Sequence, residues 1–234
     1  VGSEMCIRDR PCPVVLPPFQ DISENIGRLY CKEIHYELRK RHYFAIAFEN
    51  KTGGYEVRNP YYKGCIKGKD ISVIRYNKDI IQNHVCVFEG FMDFLSYQEL
   101  HRKGDYHVCI DSPTDFLVMN SVSNLKKCLV ELERYTTIHC YLDNDLAGRK
   151  TVETITGLYG EKVIDHSESY YNYKDLNDYL EVKGLVFVFP LIEIFQPAKG
   201  SPKYGGLFLF IAPDKTRQSM IIEYDFRSVS YTHL

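Results

Sequence analysis

No apolar run in the sequence is long enough to cross a bilayer. The best candidate, Leu185 to Phe195, is interrupted by Pro190 and Glu193, whereas a spanning helix needs about 20 apolar residues. No membrane partner is therefore expected. The 8 cysteines include no Cys-x-x-Cys pair, which argues against a zinc ribbon within this chain. Cys86, Cys109 and Cys140 instead lie inside apolar runs, as buried reduced thiols of a cytoplasmic protein do. Excess charge of one sign is also missing: the net charge of −2 gives no global nucleic-acid footprint, so any basic surface has to be local. No internal repeat is evident, which excludes a solenoid. What remains, 234 residues at 44% hydrophobic content, suits one α/β domain with a smaller attachment.

The two ends read as something other than protein. Met5-Cys6-Ile7-Arg8-Asp9 can be encoded by ATGTGTATAAGAGAC, whose reverse complement GTCTCTTATACACAT encodes Val-Ser-Tyr-Thr-His, residues Val229 to His233. Such an inverted repeat is expected of translated sequencing adapter, so residues 1–10 and 229–234 are set aside from fold reasoning. The reading frame is then expected to be cut at both ends.

Between these ends the chain divides by composition and periodicity. Residues 11–20, with Pro11 to Pro18, read as a linker. Residues 21–80 read as a small subdomain. Apolar positions at helical spacing predict a helix from Ile22 to Leu38. Tyr43–Phe48 and Tyr55–Arg58 then read as strands around a Gly53-Gly54 turn, Tyr61–Lys69 as a basic surface loop, and Ile71–Tyr76 as another short strand. Residues 81–183 alternate strand and helix, the pattern of a parallel sheet with right-handed crossovers. Its strands are expected at Val85–Phe88, Phe116–Met119, Ile138–Leu142 and Val163–Ile164. Its helices are expected at Phe91–Arg102, Leu125–Tyr135, Leu146–Tyr159 and Leu176–Val182. The tail, 184–228, leaves two readings: a β element using Leu185–Phe189 and Leu207–Ile211, or an out-of-frame translation.

Acids stand at the ends of two of these strands. Val85 to Phe88 is an apolar run, as a strand buried on both faces would be, and it stops on Glu89, with Asp93 four residues on. Ile138 to Leu142 stops on Asp143-Asn144-Asp145. Open α/β sheets place ligands at the carboxyl ends of their strands. An Asp-x-Asp alone favours capping of the next helix. A second strand-end acid reverses that preference, because several carboxylates together form a hard oxygen-donor site suited to Mg²⁺ or Mn²⁺.

These residues carry a resemblance. Val87-Phe88-Glu89-Gly90-Phe91-Met92-Asp93 resembles the glutamate motif of toprim domains, in the form found in bacterial DnaG-type DNA primases. Tyr141 to Arg149 resembles the Asp-x-Asp motif of the same family, and Lys174-Asp175-Leu176-Asn177-Asp178-Tyr179-Leu180 its third acidic segment. Upstream, Phe44–Phe48, the Gly53-Gly54 turn, Val57-Arg58-Asn59 and Lys63-Gly64 are similar to the small subdomain that precedes toprim in these enzymes. The run is most similar to toprim proteins of mobile elements, in which zinc is held by a separate amino-terminal module that would lie before Pro11. The resemblance covers about residues 21–183 and leaves the tail aside.

The resemblance implies an α/β fold: a toprim, Rossmann-like parallel sheet flanked by helices and preceded by a small α+β subdomain. It implies Glu89, Asp143 and Asp145 as catalytic and metal-binding acids, with Asp93 and Asp175 as further metal ligands. Where the family often carries another aspartate, this chain has Asn177, with Asp178 one residue later. The implied chemistry is metal-dependent nucleotidyl transfer, the synthesis of a short RNA primer on single-stranded DNA from nucleoside triphosphates, with a replicative helicase as an expected partner. Glu89 has a second implied role, as general base. The alternatives are a DNA-cleaving toprim enzyme, topoisomerase or nuclease, and a non-catalytic nucleic-acid-binding module. Arg58, Lys63, Lys67 and Lys69 read either as a surface tracking template or nucleotide phosphates, with Tyr61 or Tyr62 stacking, or as a solvated loop. His84, His107 and His139 read as packed or surface side chains rather than ligands.

Overall fold

A computed structural model of the chain describes residues 5–8, 21–38 and 40–188. The proline-rich linker, the expected Leu207–Ile211 strand and residues 229–234 lie outside the described residues. The amino-terminal part is an antiparallel sheet of β1 (Met5–Arg8), β2 (Cys31–Leu38), β3 (Arg41–Glu49), β4 (Tyr55–Asn59) and β5 (Tyr62–Ile66), in that spatial order. Strand β1 falls within residues 1–10, set aside above as adapter, and here the edge of β2 pairs with it from Met5↔Tyr36 to Arg8↔Glu33. A short helix, α1 (Glu24–Tyr30), precedes β2.

Two expectations are corrected here. The helix expected over Ile22–Leu38 ends at Tyr30, and Cys31–Leu38 pairs with β3 from Cys31↔Phe48 to Leu38↔Arg41. Ile34 and Tyr36, two residues apart, then share one face with Ala45, Ala47, Tyr55 and Val57. A period of two satisfied by cross-strand packing overrides the weaker helical spacing. The expected loop over Tyr61–Lys69 contains β5, which pairs with β4 from Tyr55↔Ile66 to Asn59↔Tyr62. Its apolar signal is faint because Tyr62 and Lys63 are exposed.

The second sheet has the order β10-β9-β7-β8-β6. Its strands are β6 (Ser72–Ile74), β7 (His84–Phe88), β8 (Thr114–Val118), β9 (Thr137–Tyr141) and β10 (Val163–Asp165). All run parallel except β6, which pairs antiparallel to β8 at the edge. The intervening helices are α2 (Phe91–Arg102), α3 (Leu125–Leu132) and α4 (Leu146–Tyr159), with α5 (Leu176–Val188) after β10. The backbone of α5 is helical through Val188, so the strand expected from Leu185 does not begin there. A short apolar run cannot be told from helix by periodicity alone.

Strand β7 is buried on both faces, as its apolar run requires. Cys86 and Phe88 pack with α1, α2 and α5 residues such as Ile26, Leu95 and Leu180. Val85 and Val87 pack on the opposite face with Cys128, Leu132 and Ile155 of α3 and α4. The small sheet joins the first of these cores through β3. Ile46 and Phe48 leave the small sheet's own core to Ala45 and Ala47, and the Phe48 ring stacks on Phe91 at 5.3 Å. The chain runs from β7 outward to β8 and then returns across β7 to β9. The strand order therefore reverses between β7 and β9, and their carboxyl ends flank the crevice where such sheets bind ligands.

One histidine row crosses this sheet. His139 on β9 lies 3.0 Å from His84 and 2.9 Å from His166, ring nitrogen to ring nitrogen, and is itself buried. Burial, then the neighbouring His166 and His84, push its pKa down to about 4. Burial also lowers His166, against the opposing pull of Asp165. Between pH 6.5 and 4 the unfolded chain takes up the His139 proton and the native protein does not, so acid favours unfolding in that window. Urea unfolding of wild type and His139→Gln from pH 7 to 4 is expected to show the variant gaining stability relative to wild type as the pH falls, a difference that isolates His139 from the other titrating groups.

Candidate metal centre

The register of the sheet sets the acids side by side. Phe88 pairs with Tyr141, so β7 and β9 end level, Glu89 leaving one strand and Leu142-Asp143 the other. Gly90 starts α2, whose first turn carries Asp93 into the same crevice. Asp175 arrives from the start of α5, where its Oδ1 accepts from the Asp178 backbone N–H at 2.9 Å. One carboxylate oxygen each from Asp93, Asp143 and Asp175 lies within 4.8 Å of the others.

The loop after β9 is fixed by two residues between and beyond the paired aspartates. Gly148, in the first turn of α4, presses on the Asp143 backbone so closely that a Cβ would sit 2.1 Å from the Asp143 carbonyl oxygen. Asn144 turns away from the cleft. Its Nδ2 donates to the carbonyls of Tyr173 at 2.9 Å and Tyr170 at 3.1 Å, and its Oδ1 accepts from Arg149 at 2.8 Å. Its backbone N–H donates to Lys174 O at 2.6 Å. Asn144 thus ties the segment leading to Asp175 against the turn that carries Asp143. Sequence reasoning passed over Asn144, whose partners lie 26 and 29 residues away.

Of the three acids expected to be catalytic, the structure places two in the crevice and uses the third differently. Asp145 is exposed and N-caps α4, its Oδ1 accepting from Ala147 and Gly148 N–H, both at 2.9 Å. The compact trio is Asp93, Asp143 and Asp175, with Glu89 beside it. Glu89 Oε2 is buried without a hydrogen-bond partner among the described residues. Burial, then Asp143 and Asp145, push the Glu89 carboxyl up to about 7. Burial, then Asp175 and Asp143, hold Asp93 well above the usual carboxylate range. Asp143 is raised by burial and Asp175, with Lys174 opposing. The common cause is negative charge concentrated where water is scarce.

The donor set fits a hard divalent cation: four carboxylates, one with an orphaned oxygen, and no competing imidazole or thiolate in the trio. Asp93, Asp143 and Asp175 would hold it, with Glu89 Oε2 available to complete the ligand set. Lys174, part of the third acidic motif, sits 3.6 Å from Asp143 and 3.7 Å from Asp175 and partly balances them. Asp143 in turn raises the Lys174 pKa.

The acids form one wall of a cleft of about 590 Å³, and the β4–β5 face of the small sheet forms the other. Arg58, Lys63 and Lys69 line it, together with Glu56. Lys67 does not line the cleft, and Tyr61 is exposed at the β4–β5 turn. Asn120, at the end of β8 with φ of 60°, completes the floor near Ser121 and Val122. Asn144→Ala is expected to release the 170–174 segment and lower stability by about 2–3 kcal/mol, the cost of stranding buried carbonyls. Chemical denaturation measures the loss, and an unchanged midpoint would contradict the tethering role.

Comparison with known proteins follows the division seen in the structure. Residues 86–180 match the family model described as Toprim-like, and residues 20–67 match a domain family of unknown function, DUF8464. No curated protein matches the chain. Among solved structures, the primase fragment of the bacteriophage T7 primase-helicase protein is similar at 20% identity, over 71% of this chain and 69% of that chain, with a TM-score of 0.48. A second is the bacteriophage T7 lagging-strand DNA polymerase interacting with primase domains bound to an RNA/DNA hybrid and dTTP. That match has 19% identity, covers 70% of this chain and 82% of that chain, and has a TM-score of 0.45. With the family match lying over the sheet whose strand ends carry Glu89 and Asp143, residues 86–180 of this chain are a toprim-like domain.

Proposed function

We propose that the chain is the catalytic core of a metal-dependent nucleotidyltransferase that makes a short RNA primer on single-stranded DNA. The observation that carries this reading is the convergence of Asp93, Asp143 and Asp175 beside Glu89 in a toprim-like domain, across a cleft from Arg58, Lys63 and Lys69. A divalent cation bound by these acids supplies Lewis-acid stabilisation of phosphoryl oxygens. The chain's own residues do the rest. Arg58, Lys63 and Lys69 bind the phosphates of the incoming nucleoside triphosphate and oppose the charge of the acidic wall. Lys174, within reach of Asp143, adds a positive charge beside the reacting phosphates. The buried turn around Gly148 and Asn144 holds Asp143 rigidly, so little reorganisation is needed as charge develops. Asp145 keeps α4 in place through its cap and adds its charge to the field at Glu89.

A single-stranded DNA template and ribonucleoside triphosphates are the partners this reading requires, and a replicative helicase is the protein partner it suggests. No helix among the described residues is long and apolar enough to cross a membrane. Asp143→Asn in the intact protein is expected to abolish magnesium-dependent primer synthesis, a loss of at least about 10³-fold for an acid central to charge stabilisation, while the circular dichroism spectrum stays unchanged. Synthesis at the wild-type rate would remove this site from the reaction.

A further inference from the structure

The basic face of the cleft contains an acid that phosphate binding does not use. Strands β4 and β5 pair Glu56 with Cys65 and Arg58 with Lys63. With period-two alternation, Glu56 and Arg58 share a face, while Val57 and Tyr55 turn into the small sheet's core. Glu56 is 6% exposed and lines the cleft. The Cys65 thiol opposite it reaches its carboxylate and Lys69 and Lys63 lie in its field, but its Oε1 is buried with no hydrogen-bond partner among the described residues. An unpartnered buried carboxylate oxygen is costly unless a donor reaches it.

A second orphan acceptor lines the same cleft. Asn120 Oδ1 is also buried without a partner. The orientation of its amide is fixed, because Nδ2 donates to the Asp70 carbonyl at 2.9 Å and to Ser72 Oγ at 2.9 Å. The oxygen therefore stays turned to the other side. The backbone at this asparagine has φ of 60°, a conformation asparagine adopts more readily than other non-glycine residues. Two orphaned acceptor oxygens, in a cleft that also offers Arg58, Lys63 and Lys69, call for a ligand with both anionic groups and neutral O–H donors. A ribonucleoside triphosphate has this combination. Its 2′- and 3′-hydroxyls are paired donors of the kind a single Asp or Glu accepts in other nucleotide sites.

We propose that Glu56, assisted by Asn120, is a specificity-determining residue that accepts the sugar hydroxyls of the bound nucleotide and so selects ribose over deoxyribose. This rests on the reading of the cleft as a nucleotide site, yet its test needs no template and no primer synthesis. Arg58, Lys63 and Lys69 hold the phosphates whichever sugar is present. Of the Glu56 carboxylate's interactions, only the one with the 2′-hydroxyl tells the two sugars apart.

Isothermal titration calorimetry of the intact protein with ATP, dATP and inorganic tripolyphosphate, in magnesium, separates these roles. A hydrogen bond to a charged acceptor corresponds to at least about a tenfold preference, so wild type is expected to bind ATP that much more tightly than dATP. Glu56→Gln keeps the side-chain volume but leaves only a neutral acceptor, and is expected to lower the ratio several-fold. Asn120→Gly, which accepts a positive φ without strain, is expected to reduce the ratio as well. Lys63→Ala is expected to weaken ATP, dATP and tripolyphosphate alike. Equal binding of ATP and dATP by wild type, or an unchanged ratio in Glu56→Gln, overturns the assignment. Tighter tripolyphosphate binding by Glu56→Gln with no change in the ratio also overturns it, making Glu56 a counterion of the lysines instead. If the ratio falls in Glu56→Gln but the intact protein makes no primer, the sugar assignment stands and the primase reading falls.

Discussion

The structure is organised around a repulsion. Asp93, Asp143 and Asp175 bring oxygens within 4.8 Å of one another, with Glu89 alongside. At an effective dielectric constant of about 20, two unit charges about 5 Å apart repel by about 3 kcal/mol. A fold that holds several carboxylates this close needs rigid elements on every side. It has them: two level strand ends, the first turn of α2, the start of α5, and a turn clamped by Gly148 and Asn144. The raised pKa values of Glu89, Asp93 and Asp143 report the strain of that arrangement. A bound cation relieves it, which is why the same geometry that costs folding energy favours metal.

The small sheet acquires its meaning from this site. Ile46 and Phe48 of β3 seat it on the α2 side of the core, and the β4–β5 face then stands across the cleft from the acids. Positive charge on one wall and negative on the other suit a ligand that carries phosphates and recruits a cation. Glu56 and Asn120 add acceptors that neither phosphate nor cation requires of that wall, and they give the cleft a means of telling one sugar from another.

Much of this was legible in the sequence, and the pattern of misses is physical. Strands β7 and β9 were visible because burial on both faces forces near-continuous apolar runs, and Glu89 and Asp143 were visible because they end those runs. The stretch Cys31–Leu38 was misread because Ile34 fits both a helical and a strand period, and only pairing with β3 decides between them. Strand β5 was hidden by exposed tyrosine and lysine. Asp145 looked equivalent to Asp143, yet the turn gives its Oδ1 to the α4 cap and leaves Asp175 to complete the trio. Asn144, Glu56 and Asn120 could not be found from spacing, since their roles depend on carbonyls, lysines and cleft walls supplied by distant segments.

The central claim is that these acids form a site for one class of ligand, a divalent cation. Electron paramagnetic resonance of Mn²⁺ titrated into the intact protein tests it most directly. Saturable Mn²⁺ binding is expected, displaced by excess Mg²⁺ and weakened severely by each of Asp93→Asn, Asp143→Asn and Asp175→Asn. An absence of saturable binding, or binding that survives all three substitutions unchanged, would contradict it.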